Sequence, residues 1–504
     1  MFLEVMTATL IAANVQTGNY HPVKYEPAQV EFKIEKPAEK ISGNSENASG
    51  YSYKIQLPAD NKTKYTDYQQ FVNESSERAK RTIRDVKKRS TQSGQFLKWI
   101  YLPEKQLEIA ADGKSHLDSV YEQANILASR KGDTERPLVV LGIGGSKHTA
   151  EFLLNMTGLK HDRKIYFYSD IDPVSYENFI EQLDCSIADL NFLVVSKSGT
   201  TFETKDAFLR FEKALINYYK KEGFSETEAI KNAQSHFAIC TDATPTEKNL
   251  RGRIGNKNGE NNNYIKELYI HDDVGGRFSM FDDACLFVLA YAGESKDKTR
   301  RILEAAKNIT QANLSEDVKN NPGVQGAIFN LFADQGQYCA VIQQYFGRLF
   351  EGAGENWSKQ LYMESVKRFD FLAGKAPDSM HYASEAHYAP WNRNRYRTVL
   401  TIMNPSISEN YRKYVFAIQK TYAETTPVKL EILDVEDDAI KPEAIGEYVQ
   451  SKHFETIYTW SIEDEMFGYS APAMPVMDCV VQPSVEIYKN KFKPGSPYEL
   501  APGE

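Results

Sequence analysis

No stretch of this 504-residue chain approaches the ~18 consecutive apolar residues that a membrane-spanning helix needs, so no membrane segment is expected. The opening MFLEVMTATLIAANV is mildly apolar, but it has no basic flank, carries Glu4 and is too short to cross a bilayer. It does not read as a signal peptide, and the cytoplasm is the default expectation. Cysteine is scarce: Cys185, Cys240, Cys285, Cys339 and Cys479 are odd in number and far apart. They form no CxxC and no Cys/His metal spacing, which argues against a disulfide framework and a zinc module. Buried small side chains in a reducing compartment are expected. Blocks of Lys and Arg are also missing, and the formal charge is −9. Duplex binding normally needs a basic face, so no nucleic-acid partner is expected. A small anion is not excluded, because a few local donors suffice to hold one.

What is present is an ordinary globular composition, 41% hydrophobic and 26% charged, in a chain too long for one core. Residues 1–65 read as an N-terminal extension, partly disordered, because the stretch KPAEKISGNSENASGYS has little to bury. Residues 66–115 read as a helical segment. From residue 116 short apolar runs alternate with helix-length segments: Pro137–Leu141, Lys164–Tyr168, Phe192–Val195, Phe237–Cys240 and Leu268–Ile270. Buried parallel strands with crossover helices give this alternation, so 116–290 is expected to be one doubly wound α/β domain. A connecting helix is expected over 291–319 and a second α/β domain over 320–480. In that domain, helices near 323–350, 406–424 and 440–452 accompany strands Thr398–Ile402 and Leu430–Leu433. Residues 481–504 form a C-terminal segment. The fold class is therefore α/β, with two doubly wound parallel-sheet domains and flanking helices.

Two strand ends carry anion-binding chemistry. Gly142, Gly144, Gly145 and Ser146 form LGIGGS where a strand gives way to a helix, so backbone amides can approach an anion at the helix start. Lys147 stands where a dinucleotide fingerprint has its third glycine, and no GxxxxGK[ST] loop is present. The second loop, VVSKSGTTFETKDAF, crowds Ser196, Ser198, Thr200, Thr201 and Thr204 around Lys197 and Gly199. One hydroxyl can serve as a helix cap, but five exceed what capping needs, and phosphate binding is expected.

GIGGS followed by SKSGTT is similar to the sugar isomerase (SIS) domain, a flavodoxin-like fold. DVGGRFS (273–279), WSKQLYMES (357–365), the histidine of EAHYAP (385–390) and QPSVEIYK (482–489) narrow the resemblance to the phosphoglucose isomerase family. The spelling resembles the compact bacterial branch, and the likeness runs over roughly 116–492. It implies reversible isomerisation of glucose 6-phosphate and fructose 6-phosphate without metal or organic cofactor. It also implies Glu364 as the proton-shuttling base and Arg277 as the group beside the enediolate oxygen. His387 and Lys489 would open the sugar ring, with His381 a competitor for the histidine role. Gln360 would contact the sugar, Gly276 would let the backbone pass close to it, and the two loops would hold the phosphate.

The chain departs from the family after its glutamate, where ESVKR replaces a glycine-containing loop, and after GGRFS, where Met280, Phe281, Asp282 and Asp283 follow. Ser279 and Asp282 have capping-box spacing, which assigns the acid a structural role. Alternative readings are a non-catalytic SIS-type sugar-phosphate sensor and an isomerase that also takes mannose 6-phosphate. The resemblance implies a homodimer.

Overall fold

The computed structural model describes residues 42–43, 50–56, 68–129, 136–158, 160–197, 199, 201–243, 263–332, 340–350, 352–366, 370–376, 396–424, 426–467 and 479. Five strands, β3 (Leu138–Leu141), β4 (Ile165–Tyr168), β5 (Asn191–Val195), β6 (Phe237–Asp242) and β7 (Ile265–Ile270), form an all-parallel sheet in the order β4-β3-β5-β6-β7. β3 and most of β5 and β6 are apolar because both faces of the sheet are covered there, while Lys266 and Glu267 interrupt β7. Leu138, Val140, Leu193 and Val195 point into the main core, while Val139, Leu141, Phe192 and Val194 point into a second cluster behind the sheet. The order reverses between β3 and β5, and such switch points are where open α/β sheets bind ligands.

The second sheet repeats this winding. Strands β8 (Ala340–Phe346), β9 (Asp370–Ala376), β10 (Tyr396–Met403) and β11 (Val428–Leu433) are parallel in the order β9-β8-β10-β11. At the outer side of β11 lies β2 (Tyr51–Gln56), running antiparallel, followed by the two-residue β1 (Ser42–Gly43). The mostly parallel α/β class holds, with this antiparallel edge as an addition. Composition placed Tyr51–Gln56 in an unpacked extension. Instead Tyr51, Tyr53 and Ile55 alternate into the core, and the amides of Gly50 and Tyr51 donate to Glu447 Oε2 at 3.0 and 2.8 Å. Three aromatic or β-branched side chains on one strand face supply the burial that the preceding polar stretch lacks.

The expected helix over 323–350 is also corrected. It stops as Pro322–Leu331, and β8 follows within the same stretch. Gln343 and Gln344 break the apolar pattern of that strand, yet both are fully buried, and Gln343 Nε2 donates to Thr401 Oγ1 on β10 at 2.7 Å. The helix expected near 440–452 runs further, as Pro442–Phe467.

The long helix Pro442–Phe467 lies against Lys296–Asn313 and Pro322–Leu331 and is buried along nearly its whole length. The main apolar core contains residues from both sheets, among them Val140 and Tyr345, together with Trp99, Phe152, Phe278 and Trp357 from helices and turns. Inside it lies a buried group of four charges. Lys429 and Glu431 come from β11, and Lys452 and Glu455 from the long helix. Lys429 Nζ sits 2.8 Å from Glu431 and 2.7 Å from Glu455, while Lys452 Nζ sits 3.2 and 2.8 Å from the same two carboxylates. Thr401, Asn330 and Tyr362 donate to the remaining carboxylate lone pairs. Among the described residues no helix is long and apolar enough to cross a membrane, and the four described cysteines are thiols rather than disulfides.

Candidate active site

The glycine loop leaves β3 at its C-terminal end and enters the helix Gly145–Thr157. Gly144 caps that helix at φ +56°, a left-handed conformation that favours glycine. A Cβ there would also stand 2.8 Å from the Gln360 amide nitrogen, and a Cβ on Gly145 would run into the Gly276 carbonyl group. The glycines expected from the sequence to allow close approach thus bring GIGGS, GGRFS and the QLYMES helix together. Gly142 abuts Val195 at the end of β5, which places the serine/threonine loop alongside.

In that second loop Gly199 adopts φ +62° and donates its amide to Ser196 Oγ at 3.1 Å, leaving the Ser196 proton free to donate elsewhere. Thr201 is the N-cap of the helix Phe202–Lys221 but makes no capping hydrogen bond with its side chain, and Thr204 is buried in the first turn. A helix start with its capping hydroxyl unused suits an anion. Lys197 turns toward the loop after β7: its ammonium donates to the His271 carbonyl at 3.4 Å and lies 6.0 Å from the Phe96 ring centre. Ser198 and Thr200 lie outside the described residues.

Arg277 is fully buried in a single 3-10 turn, Gly276–Phe278. Its Nε donates to Ser365 Oγ at 2.7 Å, its Nη2 to the Cys479 carbonyl at 2.5 Å, and its Nη1 reaches Glu364 Oε2 at 3.4 Å. Burial lowers its pKa, against the opposing fields of Cys479 and Glu364. Glu364 is near the end of the helix Ala353–Ser365, and its side chain keeps 29% of its surface open. Gln360, one turn earlier, donates to Glu364 Oε1 at 3.2 Å. A carboxylate held by an arginine and an amide, yet open on one side, can accept and return a proton. The guanidinium beside it is placed to stabilise an adjacent oxyanion.

Among the expected site residues, Gly144, Gly145, Gly276, Arg277, Gln360 and Glu364 form one contiguous group. His387, its competitor His381 and Lys489 lie outside the described residues. Two partners of Arg277 had no sequence reading. Ser365 follows Glu364 inside the quoted motif and could have been flagged by that adjacency; the Cys479 carbonyl is a backbone group with no residue-type signal. The structural role expected of Asp282 is present in altered form. Asp282 itself caps the helix Asp283–Ala292 and pairs with His271, while Ser279 Oγ donates to the Gly276 carbonyl.

Comparison with known proteins identifies relatives of this chain. The sequence profile described as phosphoglucose isomerase matches residues 111–369. The chain is 27% identical over 346 residues to a glucose-6-phosphate isomerase of Caldanaerobacter subterraneus subsp. tengcongensis, covering 65% of this chain and 68% of that one. It is 27% identical over 403 residues to the glucose-6-phosphate isomerase of Mycoplasma capricolum, covering 74% and 86%. Among solved structures, a glucose-6-phosphate isomerase from Chlamydia trachomatis superposes with a TM-score of 0.63 at 16% identity, over 88% of this chain and 87% of that one, which establishes the shared fold. With the profile spanning half of its length and the described motif residues Gly144, Gly145, Gly276, Arg277, Gln360 and Glu364 in one group, the chain belongs to the phosphoglucose isomerase family.

Proposed function

We propose that this chain interconverts D-glucose 6-phosphate and D-fructose 6-phosphate through ring opening and an enediolate intermediate. The observation that carries this reading is the 3.4 Å approach of Arg277 to Glu364 beside the glycine loop. It joins a base and an oxyanion partner, one on the helix Ala353–Ser365 and the other on the turn after β7, beside the glycine loop that follows β3.

In the forward direction the phosphate is held by Ser146, Ser196, Ser198, Thr201 and Thr204, with Thr200 and the helix-start amides beside them. His387 and Lys489, assigned by motif alone, protonate the ring oxygen and take the hydroxyl proton. Glu364 then removes the proton from C2. The C–H electron pair becomes the enediolate double bond, and negative charge collects on the oxygen facing Arg277. The O2 hydroxyl proton passes to O1, and return of the abstracted proton to C1 leaves the carbonyl at C2, the ketose. Losing a donor of the Arg277 kind typically raises such a barrier by about 2.7–4 kcal/mol. Each step is a proton transfer between groups of the chain and the sugar.

A coupled assay of fructose 6-phosphate conversion tests this directly. Glu364→Gln keeps the shape and one of the two accepting oxygens but removes the base, so turnover falls by on the order of 10³-fold or more while 6-phosphogluconate still binds. Turnover retained within tenfold of wild type would remove Glu364 from the mechanism. The family resemblance and the reducing-compartment cysteine pattern support a cytoplasmic homodimer. Sedimentation at micromolar concentration checks the dimer, and cell fractionation checks the location.

A further inference from the structure

Beyond the sugar site, the C-terminal ends of β6 and β7 border a separate cavity of about 450 Å³, lined by Lys98, Tyr101, Lys105, His116, His271 and Asp272 among others. At its wall a donor set comes together. His116 opens the helix His116–Ser129, His271 follows β7, and Asp283 opens the helix Asp283–Ala292. One ligand atom from each lies within 4.8 Å of the other two. His116 Nε2 stands 2.9 and 3.1 Å from the two Asp283 oxygens, and the two imidazole centres are 5.6 Å apart.

The outer contacts suit metal ligation. Asp282 Oδ1 accepts from His271 Nδ1 at 2.5 Å, and Asp282 Oδ2 accepts from the His271 amide at 3.2 Å. With Nδ1 donating, Nε2 of His271 carries the lone pair. A carboxylate holding the far nitrogen is how ligating histidines are oriented. Asp283 is fixed in turn by the Gln106 amide at 2.9 Å and the Tyr269 backbone amide at 2.8 Å. Around a zinc ion with bonds of about 2.0–2.2 Å, donors sit roughly 3–3.5 Å apart, so small side-chain rotations close the set. Asp272, Asp273, Asp282 and Asp283 outnumber Lys98 and Lys105 nearby. Imidazole donors select a zinc-class ion over magnesium or calcium.

We propose that His116, His271 and Asp283 bind one divalent zinc-class cation, with the fourth position open to the cavity. His271 and Asp283 bracket the loop that carries Gly275, Gly276 and Arg277, so the cation fastens the two ends of that loop.

Calorimetric titration of the full chain with zinc chloride tests the proposal. One saturable site per chain is expected, with magnesium chloride giving no comparable heat. His116→Gln, at a side chain 28% exposed and therefore tolerant of replacement, weakens zinc at least 10-fold. Asp282→Asn, acting through His271, weakens it about 10–100-fold. Circular dichroism confirms that each variant is folded. Absence of a saturable zinc site in the wild type, or zinc affinity unchanged in folded His116→Gln, overturns the proposal. Because binding is the readout, the result stands independently of whether the chain isomerises glucose 6-phosphate.

Discussion

Arg277 is immobilised by neighbours that do no chemistry of their own. Ser365, the Cys479 carbonyl and the stacked pair of Phe278 and Trp99 surround it, with the two ring centres 5.3 Å apart. Behind them lies His453, fully buried against Trp99 (5.2 Å), Phe278 (5.2 Å) and Trp357 (5.9 Å). Burial pulls its pKa from the ordinary 6.5 down to about 3, so the folded protein holds it neutral. The unfolded chain binds this proton below pH 6.5 and the folded chain does not. The associated stability is therefore complete above pH 6.5 and is lost as pH falls toward 3. Between pH 7 and pH 5 the loss amounts to about 1–2 kcal/mol. Urea unfolding at the two pH values should show this slope in the wild type and a shallower one in His453→Leu. Equal slopes would mean that the ring is charged or hydrated in the native state.

At the level of the element, β11 and the long helix share the buried charges of Lys429, Glu431, Lys452 and Glu455. Two cations and two carboxylates balance. The lysines hold Glu455 down at about 2 and Glu431 below its usual value, against burial, which pushes both up. Removing one partner strands a charge, so Lys429→Met should cost about 3–5 kcal/mol, while the pair Lys429→Met with Glu431→Leu should recover much of it. Denaturant midpoints for the single and double variants measure the difference. The same element shows what a linear reading captures and misses. Strands β3, β5 and β6 were legible because burial on both faces leaves their centres apolar, whereas β7 was legible only from Leu268 because Lys266 and Glu267 interrupt it. Strand β8 was read as helix because Gln343 and Gln344 look like a polar face, and the cross-strand bond to Thr401 that satisfies Gln343 has no local signature. In the site, Gly144, Arg277, Gln360 and Glu364 were legible through their motifs. The Cys479 carbonyl was not, since any residue type supplies one. His453 was not either, since its meaning comes from rings far away in the chain.

At the scale of the whole molecule, the two wound sheets share one apolar core, so they are expected to unfold together. Tyr53 on β2 is 2% exposed, and Tyr53→Ala should destabilise the protein by about 3–5 kcal/mol, whereas Lys54→Ser on the outward side stays within about 0.5 kcal/mol. Tryptophan fluorescence and far-ultraviolet circular dichroism should report one coincident transition in Tyr53→Ala, although β2 pairs only with strands of the second sheet. Two separated transitions would show that the halves are independent. The placement of β2 also matters at the ribosome. The Tyr51 hydroxyl donates to Glu431, which lies 380 residues further along. At translation rates of about 5–20 residues per second, the newborn strand waits roughly 20–75 seconds for its neighbour to be made. Throughout that interval two tyrosines and an isoleucine meant for the interior have no sheet to join, so this stretch of the nascent chain stays open to capture by a chaperone.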